Sequence, residues 1–476
     1  MKKLFAALIA TLIVVTAMLA PAGAIADNEW ETLKVTQILQ VSNGYNYGGD
    51  EELEFGKNTM RGFAVSPDGS KLFCGFLNPG NSSALVMFDT MTSKALGYYV
   101  YYQPLDQKTS YPKGLDCDDR GYCYVGLAYY PNNGVANMAI LKYDEKDNQT
   151  GFLKEVSVTE VVHEAEPGTG TKVGINGVKV KAVGSAYYAY VVVNYEVDYL
   201  YRFNVTNPET PVLDTTFGTN GRMVLGDDAF KIENGTITDG NYLDVDDDGT
   251  IWLAVTATNG EYLTKISDDG KAILGYVQHR KAYGVCLWDD KVLCCSQNNG
   301  SEIIVYKQMN FEKVAEFKIT ENNTVIPGGS NIDYISQDPV NSVCNMKLGG
   351  GCIFFGDQGN NSGDVDQVFM AGLTDDGKQF EENVSKSLEA IFTAVETTEE
   401  ETTAAESEAE VTTAEETEPE AEVTTAGAVT PEVTTAAAPE VTTASAPAKK
   451  GCGSFAAGTA VLVSVLGAAL VIRRRK

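Results

Sequence analysis

Histidine is nearly absent from this chain: there are two in 476 residues, His163 and His279. That excludes multi-histidine metal centres and leaves a Ser-His-Asp arrangement at most two candidate bases. Nine cysteines include no Cys-x-x-Cys pair, which removes the usual zinc and dithiol signatures. Basic charge is scarce as well. Lys and Arg number 36 against 65 Asp and Glu, for a formal charge of −29, and a nucleic-acid-binding protein needs the opposite footprint. No stretch before Glu381 sustains a helical period, and Leu-Pro-x-Thr-Gly, the sortase motif, does not occur.

What is present organises the chain from its ends. Lys2 and Lys3 precede an apolar run at 4–19, and Ala24, Ile25 and Ala26 supply small residues for cleavage before Asp27; residues 1–26 are the expected signal peptide. At the other end, residues 455–472 are uncharged and rich in Val, Leu, Ala and Gly, and Arg473, Arg474, Arg475 and Lys476 follow at once. A short apolar span with a basic end is the pattern of a C-terminal membrane helix whose basic end stays in the cytoplasm. The segment 451–476 is the expected anchor, with everything between the two signals outside the cell. With Gly451, Cys452, Gly453 and Ser454 ahead of the helix, this tail resembles short bacterial C-terminal sorting and anchoring tails, some of which are cut near such a motif.

Residues 395–450 form a stalk. Glu-Val-Thr-Thr-Ala recurs at 410–414, 422–426, 432–436 and 440–444, without a Leu or an aromatic residue in the whole segment. Nothing there offsets the entropy of ordering, and the glutamates repel one another. Fully extended, the stalk would reach about 180 Å.

The remaining residues, 27–394, carry an internal repeat. A polar residue and Gly lead a short strand into an Asp/Gly turn and a second apolar strand. Copies begin at Arg61, Lys113, Asn176, Asn241 and Tyr283, and a degenerate sixth runs from Asn331 to Phe355. Their spacing suits four-stranded blades with variable loops, so the fold class is all-β: a six-bladed β-propeller, with a seventh blade conceivable at 206–238. The strand at 33–41 is expected to pair with the last blade and close the ring.

These hairpins resemble those of NHL-type, YVTN-type and gluconolactonase-like propellers, and residues 214–221 (Asp-Thr-Thr-Phe-Gly-Thr-Asn-Gly) resemble a repeat element of related proteins. The resemblance implies that Arg61, Lys113, Asn176, Asn241, Tyr283 and Asn331 ring one mouth of the central channel. Gluconolactonase-like enzymes hold a divalent metal there with a Glu, Asn residues and an Asp. Asn176 and Gly177 match the Asn-Gly element, and Asn241 stands where an aspartate belongs. Arg61 and Lys113 replace oxygen ligands with cations, which repel a metal.

With Arg280 and Lys281 nearby, these residues suggest instead a cationic mouth on an acidic body, suited to an anionic ligand. Tyr111 and Tyr283 could stack on sugars. Function is therefore read as a membrane-tethered binding or interaction module for an anionic glycan, peptide or protein partner, with a monomeric ectodomain. A metal-dependent lactonase or hydrolase and a structural envelope component stand as alternatives, and no catalytic residue is assigned. Calcium is a possible cofactor, because 244–249 (Asp-Val-Asp-Asp-Asp-Gly) opens like a calcium loop, though Trp252 and Val255 occupy its later ligand positions. His163, beside Glu164 and Glu166, and His279 are read as surface-loop residues. Cys117/Cys123, Cys286/Cys294 and Cys344/Cys352 flank turns and are candidate hairpin disulfides, with buried reduced thiols as the alternative.

Overall fold

An amphipathic strand needs neighbours along both edges and a layer against each apolar face. In the computed structural model both needs are met by radial stacking. The structure describes residues 25–41, 45–46, 54–55, 60–77, 83–101, 111–129, 135–146, 153–163, 173–195, 198–297, 302–320, 322–327, 343–357 and 366–391. The signal segment up to residue 24, the stalk, the C-terminal apolar segment and Asn331 lie outside the described residues. Among those described, no helix is long and apolar enough to cross a membrane.

Six blades form in chain order, each beginning with an inner strand. These inner strands are Met60–Val65, Tyr111–Cys117, Val173–Val183, Ile237–Val245, Ala282–Trp288 and Val343–Gly349. Blades 2 and 3 are joined by a short pairing of Val173 with Tyr129 and Gly174 with Ala128. The ring closes as expected: Val35–Val41 runs antiparallel to Asp366–Gly372 and supplies the outer strand of blade 6. Phe63, Phe73, Trp252 and Phe354 are fully buried in the apolar layers, each worth about 2–3 kcal/mol of burial. The inner hairpins turn on the foreseen residues: Gly121 and Gly249 sit at φ 89° and 90°, a region open to glycine at little cost.

Three expectations about this domain are corrected. Residues 206–238 make no seventh blade. Their short strands Val212–Leu213 and Arg222–Val224 both pair back onto Tyr199–Asn204, and buried Phe217 packs edge-on against Tyr190 at 6.3 Å. The sixth repeat begins later than Asn331, because the inner strand of blade 6 is Val343–Gly349. A helix over 375–391 ends the described chain. Thr374 Oγ1 accepts from Gly377 N at 3.0 Å at its start, and Phe380, Val384 and Leu388 present one face to the core between blades 6 and 1. Its Glu381 accepts from Thr36 Oγ1 and Gly372 N, both at 2.8 Å, fastening helix to closing strand.

Candidate functional site: one mouth of the channel and its floor

The strand register slips near the start of every inner hairpin, the mark of a β-bulge, and blade 4 carries a further slip at Thr238. The slips fall at Arg61, Lys113 and Asn176, at Asn241 with Tyr242, at Tyr283 with Gly284, and at Cys344. Five of the six positions read from the repeats therefore fall at these bulges, and in blade 6 the bulge falls at Cys344 rather than Asn331. Arg280 and Lys281 immediately precede the inner strand of blade 5, Arg280 exposed and Lys281 half-buried.

At this level neighbouring blades are stapled together. Asn176 Nδ2 donates to Gly240 O and Asn241 Nδ2 to Ala282 O, each at 3.1 Å, and Lys113 Nζ donates to Asn176 Oδ1. The two asparagines are buried and hold the next blade's backbone, so their side chains are structural staples. Lys113 is committed to the same chain of bonds. Among the described residues no ion pair engages Arg61 or Arg280, and Arg61 is half-buried.

One residue deeper the channel is closed. Tyr242, buried in blade 4, reaches across the axis and donates its hydroxyl to Arg61 O at 3.1 Å and toward Lys113 O at 3.5 Å. Tyr283 meets it edge-on at 5.3 Å. Blades 1, 2, 3 and 5 carry Gly at the matching position, and at Gly62 the reason is steric: a Cβ there would lie 1.9 Å from Lys113 O.

Three residues past each bulge lies a second closure that repeat matching missed: Ala64, Asp116, Lys179, Asp244, Cys286 and Lys347. Lys347 Nζ lies 2.9 Å from Asp116 Oδ1, and Lys179 Nζ lies 3.7 Å from Asp116 Oδ2 and 3.0 Å from Asp244 Oδ1. The carboxylates also accept from Val180 N and Leu287 N at 2.8 Å. Burial pushes the Asp116 carboxyl up, but Lys179 and Lys347 outweigh it and hold it below the usual range. Burial likewise lowers Lys179, and Asp116 and Asp244 reverse this to raise it. Two ammonium groups thus face two carboxylates, leaving no surplus charge for a ligand. Aligning the four-residue strings Lys-Gly-Leu-Asp, Asn-Gly-Val-Lys and Asn-Tyr-Leu-Asp would have exposed this alternation.

The calcium-loop residues diverge. Asp244 enters the channel, while Asp246 and Asp248 both accept from Thr250 N, at 3.0 and 2.8 Å, and shape the turn. Burial, then the hydrogen bond with Asp248, moves Asp246 up to about 7, whereas Asp248 falls to about 2. Among the described residues no three His, Cys, Asp or Glu groups converge as a metal-binding cluster.

Acidic groups do meet at the rim between blades 3 and 4. Asp198 and Asp239 are both half-buried. Burial first, and the Asp239 charge second, moves Asp198 up to about 8; burial also raises Asp239, partly offset by the Lys113 ammonium and the neighbouring Asn194 amide. These residues come from different blades, and no motif in the sequence links them.

His279 is not a surface residue. It is buried, with Nδ1 3.0 Å from Tyr306 Oη and Nε2 3.1 Å from Ser296 Oγ, and burial lowers it to about 4. His163 ends the strand Leu153–His163, and its side chain lies outside the described set. Cys117, Cys123, Cys286, Cys294 and Cys352 are buried with free thiols, and Cys74 and Cys295 are buried as well. Cys117 and Cys123 are register partners. Cys286 pairs instead with Leu293, and Cys294 with Val285, so the two thiols face opposite sides of the sheet and cannot bridge. Cys344 lies five residues before Gly349, the partner of Cys352, about 17 Å along the strand. That pair cannot bridge either.

No protein-family model and no curated protein matches this chain. Among solved structures it is similar to the Dos1 propeller (TM-score 0.39, 11% identity, covering 73% of this chain and 95% of that one). It is also similar to BamB from Moraxella catarrhalis (0.35, 12%, 71% and 96%) and to a protein of unknown function from Bacteroides caccae (0.38, 11%, 60% and 81%). Likenesses at this level bring no ligand or activity to the chain.

Proposed function

We propose that this chain is an exported, membrane-tethered β-propeller that works as a binding module and takes an anionic ligand on the mouth above Tyr242. A sugar acid, a peptide carboxylate or a phosphate has the required chemistry. The observation that carries the reading is the division of labour around the channel. The deeper cations, Lys179 and Lys347, are matched by carboxylates, whereas Arg61, at the bulge of blade 1, and Arg280, just before the inner strand of blade 5, have no ion pair among the described residues. A closed floor favours a ligand that docks on the rim over one that threads the channel. The channel carboxylates are already matched by lysines, which weighs against a lactonase-like metal site at that depth.

The test is a titration of the full chain with matched neutral and anionic oligosaccharides. Binding confined to the anionic set, and weakened by salt, supports the reading. Equal affinity for both sets, or none for either, refutes it. Protease treatment of intact cells tests the topology: loss of the propeller from the surface is expected, and complete protection contradicts export.

A further inference from the structure

Two oxygen atoms at the acidic rim have no partner. Asn194 is 93% buried, being 7% exposed, yet its Oδ1 accepts no hydrogen bond; Asp198 Oδ1 is enclosed and equally unpartnered. A buried acceptor left empty costs about 1–3 kcal/mol, so a pair of them in one place calls for an explanation.

The backbone brings these atoms together. Asn194 is the last residue but one of the second strand of blade 3, Ala186–Tyr195, and Asp198 directly precedes the third, Tyr199–Asn204; the two strands pair up to Val193 with Tyr199. Asp198 O accepts from Leu225 N at 2.9 Å. Asp239 stands beside Gly240, where a Cβ would come within 2.7 Å of Val192 Cγ1 and 2.8 Å of Leu225 Cδ1. Gly240 is thus wedged between the strand that leads to Asn194 and the segment bonded to Asp198.

We propose that Asp198, Asp239 and Asn194 form a calcium site at the rim between blades 3 and 4. The donor set is oxygen throughout, two carboxylates and an amide carbonyl, with no thiol or imidazole, which is the chemistry of a hard cation. A half-turn of the Asn194 amide exchanges its nitrogen and oxygen, so the carbonyl can be presented to an ion. The ion would neutralise two neighbouring carboxylates that otherwise repel each other. Lys113 is the cation that Asp239 faces, and its ammonium, held by Asn176, opposes calcium. With only two carboxylates and that opposition, affinity belongs in the weak range of extracellular sites, about 0.1–1 mM. This site is independent of the anionic-ligand reading, which rests on Arg61 and Arg280.

The experiment follows the thermal unfolding of the full chain with calcium chloride and with a chelator. At about 10 mM calcium the midpoint is expected to rise by about 2 °C or more, reversibly, because only the native state holds the ion. The double variant Asp198→Asn/Asp239→Asn should lose that rise, while its calcium-free midpoint is no lower than that of the parent. Asn194→Asp adds a third carboxylate and should tighten calcium about tenfold by calorimetry, which decides the matter even if the double variant folds poorly. No rise in the parent, an equal rise in the double variant, or unchanged affinity in Asn194→Asp would overturn the site.

Discussion

The Tyr242 hydroxyl of blade 4 donates to the backbone carbonyl of Arg61 in blade 1, 3.1 Å away across the channel axis. A single side chain therefore couples two opposite blades and forms the floor of the mouth. Tyr242→Phe should cost about 1 kcal/mol in urea unfolding, the worth of an ordinary hydrogen bond. Tyr242→Ala removes the ring as well and should cost about 3–5 kcal/mol. Equal costs would mean that the ring does not fill the channel.

Lys347 and Asp116 are each 6% exposed and 2.9 Å apart, so neither charge can easily stand alone. Lys347→Met should destabilise by about 3–5 kcal/mol, whereas Lys347→Met with Asp116→Leu should cost less than the sum of the single changes. An additive double-mutant cycle would remove this pair from the account.

His279 supplies an acid dependence. Its protonation midpoint falls from 6.5 unfolded to about 4 folded, so the unfolded chain binds the proton first as pH drops. The stability of the buried neutral ring is complete above about pH 7 and declines through the window between those two values, by about 3 kcal/mol in total. The difference in unfolding free energy between the parent and His279→Gln should therefore shrink as pH falls from 7 to 4. A pH-independent difference would show that the ring is not held neutral.

Cys117 and Cys123 are directly opposed across a hairpin, at a strand spacing that permits a disulfide. Under mild oxidation, peptide mapping should find this bridge and neither Cys286–Cys294 nor Cys344–Cys352. Recovery of either of the latter would contradict the strand registers.

Much of this was legible because a blade repeats its hairpin. The residue that opens each copy coincides with the bulge in blades 1 to 5, followed by Gly in all but blade 4, and the strand at 33–41 is legible as the ring closure. Blade 6 is hidden because Cys344 and Asn345 replace the polar-Gly pair, which leaves the weaker match at Asn331 as the apparent start of the copy. Distance from a turn does not tell which face a cysteine takes: a one-residue shift puts Cys294 on the other face of the sheet from Cys286. The helix over 375–391 was missed because its apolar face is narrow, three residues at a spacing of four. Asp198 and Asp239 were invisible for a different reason: they meet only through the packing of two blades.

The most direct test of the central claim is calorimetric titration of an anionic oligosaccharide into the full chain and into the Arg61→Glu/Arg280→Glu variant. Arg61 is half-buried, Arg280 is exposed and neither has an ion pair among the described residues, so charge reversal should leave the unfolding midpoint within about 2 °C of the parent. It should weaken binding at least about tenfold, with a smaller dependence on salt than the parent shows. Affinity unchanged by the double reversal would contradict the claim that this mouth is where the protein binds.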